Sequence, residues 1–188
     1  MWVGALITLV MLKTGTSVGT KYKPHEMYAG KLLLFTIMAI LQTTVTLIGS
    51  FLLGIDVSNP LMFAFSCYFV SVVFMALIYS LISLLGDVGK GIAILLLVFQ
   101  ISGSGGVYPV EIMNTVFRIF YPYLPMTHGI TIVRESQLGL IWANYIQPFL
   151  LLLVLGIVVV VASLVLKQRW DKRTKYFEEK LNESGLFN

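Results

Sequence analysis

The chain predicts an all-α, polytopic bundle of membrane-spanning helices, and three observations predict it. Of its 188 residues, 57% are apolar and only 12% are charged, about half the charge of an average soluble domain, and the mean hydropathy is +0.88. The 22 charged side chains cluster, so they leave uncharged windows of 24, 30, 20 and 31 residues at 32–55, 57–86, 91–110 and 136–166. Each window is continuously apolar instead of alternating, which selects helices over a barrel. A soluble globule of this size cannot bury so much apolar side chain. Disorder requires the opposite composition, and the single Cys67 excludes a disulfide framework.

The segment Trp2–Leu12 is apolar but has only 11 residues, about half of the roughly 20 needed to cross a hydrocarbon core. No basic residue precedes it, so it does not read as a signal peptide. It reads as the inner half of a span, and the chain as the C-terminal piece of something longer; a short interfacial segment is the alternative. A basic loop from Lys13 to Lys31 follows, with Lys21 and Lys23 between. Full spans are expected at 32–55, 60–85, 91–107 and 143–166, each long enough for one helix. The turn Gly86-Asp87-Val88-Gly89-Lys90-Gly91 separates the second from the third.

Between the last two spans, 108–139 fits neither loop nor span. Ser102-Gly103-Ser104-Gly105-Gly106 breaks the chain ahead of it, and Pro122 and Pro125 interrupt an otherwise apolar run. Two short helices, one dipping part-way into the bilayer, satisfy this pattern if they pack on protein. Phe120, Tyr108, Tyr121 and Tyr123 suit the headgroup level, and Trp142, Tyr145 and Trp170 bracket the last span. The tail 167–188 continues that helix as a basic amphipathic extension, with Trp170, Thr174, Phe177 and Leu181 on one face and Asp171–Lys175 and Lys175–Glu179 as i,i+4 pairs.

Alternating the spans puts eleven Lys and Arg on one side and two, Arg118 and Arg134, on the other. The side with eleven is cytoplasmic by the positive-inside rule. The C-terminus is then cytoplasmic and the 108–139 connector outside. These basic residues suit the membrane surface, not nucleic acid, for which no aromatic-basic interleaving exists.

Chemistry-bearing constellations are sparse. Gly15–Lys21 and Gly86–Gly91 both miss the phosphate-loop spacing. His25 and His128 fall on opposite sides of the membrane, and no carboxylate or Cys cluster has ligand spacing, so no metal and no cofactor is expected. His128 and Glu135, two helical turns apart, lack a third partner for catalysis. No charge lies inside the spans, which argues against a proton-coupled carrier. Gln42 and Gln100 are expected to face other helices, because a bare amide in lipid costs several kcal/mol. An enzyme is not expected.

Three stretches carry a resemblance: Leu84–Ala93, Gln100–Glu111, and Tyr121–Ile130 running on to Arg134-Glu135, together with Trp2-Val3-Gly4-Ala5-Leu6. They resemble the C-terminal membrane region of the YhgE/Pip family, the bacterial phage infection proteins, which is itself similar to the membrane domain of ABC-2 type transporters. The resemblance covers the chain to about Lys167, and residues 1–166 read as one ABC-2-type membrane domain. It implies a first span and a large extracytoplasmic domain ahead of this block, with Met1-Trp2 inside the second span. It implies a bacterial cell membrane, a homodimer, and a separate ATPase contacted through the loop holding Lys13, Lys21, Lys23 and Lys31. It also implies re-entrant helices in the connector that holds Glu111, Arg118, Pro125, His128, Arg134 and Glu135. The expected function is that of an export component; the alternative is a phage receptor or secretion-system scaffold without transport activity.

Overall fold

A computed structural model describes residues 1–11, 24–106 and 109–183. Its helices are α1 (Trp2–Met11), α2 (Pro24–Leu52), α3 (Pro60–Gly103), α4 (Thr115–Phe120), α5 (Pro125–Leu138) and α6 (Trp142–Glu183). Glu26–Leu52, Pro60–Gly103 and Trp142–Leu166 are long and apolar enough to cross a membrane. The architecture is the all-α membrane bundle that the composition predicts.

Helix α2 begins at Pro24, whose missing N–H costs nothing at a first helical position. Glu26 lies in its first turn, where a carboxylate complements the helix dipole. Lys31, placed in the basic loop by charge alone, is therefore a helical residue. Charge marks where the hydrocarbon ends, not where the helix does, and a lysine stem lets the ammonium reach water. At the far end the Leu53, Gly54 and Ile55 amides fold back on the carbonyls of Gly49, Phe51 and Ser50, and Gly54 takes a φ of +70° to close the helix. Asn59 then caps α3, accepting from the Met62 amide at 3.2 Å, with Pro60 behind it.

Helix α3 is two arms. Gly86 alone is non-helical, at φ 60°, ψ −134°. A Cβ added at Gly89 would lie 2.7 Å from the Leu81 carbonyl oxygen and 2.9 Å from the Ile82 Cα. Eight residues along one straight helix span about 12 Å, so the chain turns back on itself at Gly86. The reversal expected over Gly86–Gly91 is thus one residue wide, and Asp87 and Lys90 form a helical i,i+3 ion pair at 2.6 Å. The arm ending at Gly103 is nine residues shorter than the arm from Pro60, about 14 Å of helical rise.

The arm from Pro60 is the centre of the bundle. Phe74, Met75, Ile78, Tyr79 and Ile82 are buried among Ala5 and Leu9 of α1, Tyr28 and Phe35 of α2, Ile132 of α5 and Leu152 of α6. Short α1 is seated in this core, with Trp2 edge-on to Phe74 at 5.0 Å between ring centres. Helices α2 and α6 instead turn apolar side chains outward, Leu41, Val45, Val154 and Val165 among them. The hydroxyls of Thr36, Thr43, Thr44, Thr46 and Ser50 each donate to the carbonyl four residues back, at 2.8–2.9 Å. Helix α2 therefore carries polar residues into a lipid setting with their donors satisfied. Helix α6 runs through Pro148, which forfeits one backbone bond in its second turn.

Candidate functional site

Polar side chains in the bundle interior tie helices to one another. The Tyr28 hydroxyl meets Ser80 Oγ at 2.7 Å, and the Tyr79 hydroxyl donates to the Tyr28 carbonyl at 3.2 Å. Tyr145 meets Ser66 Oγ at 3.0 Å. Its hydroxyl is thus buried between α6 and α3 and does not face the headgroups as its position near the span end suggested. Ser80 is thus one small residue of α3 that faces α2, and Ser71, donating to the Ala39 carbonyl, is another. The Gln42 amide donates to Thr8 of α1, so this amide faces a helix as expected. Cys67 is buried and packs with Leu47 and Phe63 as a small apolar filler.

The segment after Gly103 is the least regular and the most specifically held. Val110–Ile112 forms a short 3-10 turn. Arg118 Nη2 donates to the Glu111 carbonyl at 2.7 Å, so these two connector residues are brought together through the main chain. Asn114 caps α4, and α4 packs on the second arm of α3, with Phe99 against Phe117 and Phe120 at 5.2 and 5.5 Å. Tyr121–Tyr123 makes another 3-10 turn, and Pro125 opens α5.

Helix α5 enters the bundle amine end first. Its N-cap residue, Leu124, has no side chain to accept from the first-turn amides. Gln100, only 2% exposed, supplies that acceptor from another helix: its Oε1 takes the Met126 amide at 3.1 Å. An orphan donor of the helix end is satisfied where water is absent. Gly103 lets Leu124 approach, since a Cβ there would lie 2.8 Å from Leu124 Cδ1. Gly129 lies against Phe74 and Val70, where a Cβ would meet side-chain carbons at 2.8 and 3.1 Å. At the other end the Ser58 amide donates to the Gln137 carbonyl at 2.9 Å. Helix α5 thus runs from beside Phe74 and Gln100, inside the bundle, to the level of the Pro60 end. It fills the space left by the short arm of α3, and the connector re-enters the bundle.

The other connector residues are dispersed. His128 is half-buried and its Nε2 donates to the Pro122 carbonyl at 2.9 Å, bracing the turn into α5. It makes no bond to Glu135. Arg134 lines a groove of about 400 Å³ with Thr46 and Gln137 at the rim and Val70 and Phe74 in the floor. Lys13, Lys21, Lys23 and Tyr108 lie outside the described residues. Among the described residues no cluster of three His, Cys, Asp or Glu could hold a metal.

A cavity of about 510 Å³ opens where the arms of α3 part around the connector. Leu77 and Leu81 of the first arm, Leu96 and Phe99 of the second, and Leu155 and Val159 of α6 form its walls. Phe120 and Tyr123 stand at its rim, both exposed. Neither the cavity nor the role of Gln100 has a signal in the sequence beyond an uncharged amide in mid-window.

Such a bundle, with a re-entrant connector held by one buried amide, defines a class: a membrane-embedded, permease-like helical domain. The ABC-2 type transporter family profile matches residues 20–138, from just before α2 to the end of α5. The chain belongs to that family. It is also 26% identical over 150 residues to the uncharacterized protein YhgE of Bacillus subtilis (strain 168), covering 76% of this chain and 19% of the relative. The chain spans about one fifth of that relative's length, and the aligned part is a YhgE-like, ABC-2 permease-like region. No solved structure gives a significant match.

Proposed function

We propose that this chain is the membrane-spanning part of an ABC-2-type exporter of a bacterial cell membrane. It works as a dimer and is driven by a separate ATPase. The observation that supports this most is the overlap of the family match with the structural device: residues 20–138 include both arms of α3, the Gln100 cap and all of α5. On this reading the chain does no covalent chemistry. The segment with Lys13, Lys21, Lys23 and Lys31 faces the cytoplasm with the C-terminus and receives the ATPase, while the 108–139 connector closes the far side. Tight ties at both ends of α5 make the connector a unit that moves with α3.

The test is affinity purification of the full-length protein from its own membranes, with and without Lys→Glu changes at the four lysines. An ATPase subunit should co-purify with the unaltered protein and be lost from the variant. Association unchanged by the four substitutions removes the coupling segment. No ATPase with either protein removes the exporter reading and leaves the receptor or scaffold role.

A further inference from the structure

The cavity between the arms of α3 is the feature that the permease reading leaves unused. It measures about 510 Å³, within the roughly 300–1,000 Å³ of small-ligand sites. Its walls are mostly leucine, valine and phenylalanine, with Trp2, Gln100 and Ser163 among them. Leu81 and Leu84 line it toward the reversal at Gly86. Its other end is shut by Leu124 and Pro125, fixed by the Gln100 cap.

The mouth is lateral. The wall residues that are exposed are Leu96 on the second arm and Phe120 and Tyr123 on the connector. Beside Leu96 stand Leu95 and Val98, and beside Val159 stands Val158, all exposed and apolar. The cavity is therefore continuous with the apolar face that the bundle turns to hydrocarbon. Tyr123, 78% exposed, adds an aromatic ring to the rim. A largely apolar lining, a mouth on the lipid-facing surface and an aromatic rim fit one occupant.

We propose that this cavity is a binding site for one acyl chain of a membrane phospholipid. The chain enters between Leu96 and Val159, its end lies against Leu77 and Leu81, and its headgroup stays outside at the bilayer surface. The site lies within one copy of the chain and requires no ATPase, so it stands whether or not the protein exports anything.

The experiment uses the full chain reconstituted in phosphatidylglycerol–phosphatidylethanolamine nanodiscs that contain a trace phospholipid carrying a diazirine at the end of one acyl chain. After illumination, labelled residues are mapped by mass spectrometry. Labelling should concentrate on Leu77–Leu84 and Leu155–Ser163. It should be lost in Val159→Phe, which fills the cavity, and persist in Val158→Phe, whose side chain points out. A diazirine in the headgroup should leave Leu77–Leu84 and Leu155–Ser163 unlabelled. The headgroup probe needs only the unaltered protein, so it keeps the test decisive if Val159→Phe does not fold. Labelling spread evenly over the exposed faces, or unaffected by a folded Val159→Phe, overturns the proposal. So does a disulfide between Leu96→Cys residues of two copies, which would show a partner helix at the mouth.

Discussion

Replacing Gly89 with alanine tests the hairpin within α3 at its tightest point. The added Cβ would sit 2.7 Å from the Leu81 carbonyl oxygen and 2.9 Å from the Ile82 Cα. Both are main-chain atoms of the opposing arm, so no side-chain rotation relieves the clash and the arms must part. Overpacking of this kind costs about 1–3 kcal/mol, offset by about 1 kcal/mol because alanine is the better helix former. Gly91 is the matched control: it is exposed in the same arm and a Cβ there meets nothing within 4 Å, so Gly91→Ala should gain up to about 1 kcal/mol. The two variants should therefore differ by about 1–3 kcal/mol in stability, with Gly89→Ala the weaker. Reversible unfolding of detergent-solubilised protein followed by circular dichroism measures the difference. Equal stability of the two variants would refute the back-to-back packing of residues 81–82 and 89.

Other substitutions probe the remaining ties. Gly86→Ala places a Cβ on a backbone at φ 60°, ψ −134°, a strain of about 1–3 kcal/mol that should appear as a lower unfolding midpoint. Gln100→Leu leaves the Met126 amide without its acceptor, at about 1–3 kcal/mol for a buried donor; hydrogen exchange should accelerate at residues 125–128 and not in α2. Tyr145→Phe and Ser66→Ala, made singly and together, should show a coupling of about 0.6 kcal/mol, the average for interhelical hydrogen bonds in membranes. A coupling of zero would deny the contact between α6 and α3.

Much of this architecture is legible in the residues because the bilayer imposes a simple length rule. The windows at 32–55 and 136–166 contain most of the apolar stretch of α2 and of the spanning part of α6, and Pro122 and Pro125 mark the break in the connector. Charge placed the edges less well: Lys31 belongs to α2, and the turn assigned to Gly86–Gly91 is Gly86 alone, since Asp87 and Lys90 are tolerated in a helix that reaches water. The partners of the interior side chains were not legible, because spacing along one helix does not say which helix lies opposite. Gln100 and Gln42 look alike in sequence, yet one caps α5 and the other holds α1. Tyr145 looks like an interface marker and is a buried tie. The seating of the short α1 also depends on its neighbours, with Phe74 and Thr8's partner Gln42 distant in sequence.

The position of α5 inside the bundle is the claim on which the account turns, and a cross-link tests it most directly. In a Cys67→Ala background, Val70→Cys and Gly129→Cys should form a disulfide in native membranes, because the Cβ position at 129 lies 3.1 Å from Val70 Cγ1, within bridging reach. Val70 is ten residues into α3, about 15 Å below the Pro60 end. A connector lying flat on the surface would keep the two positions apart. Rapid bridging of this pair, with none between Val70→Cys and Leu138→Cys, is the expected result; no bridge between 70 and 129 would contradict the re-entrant connector.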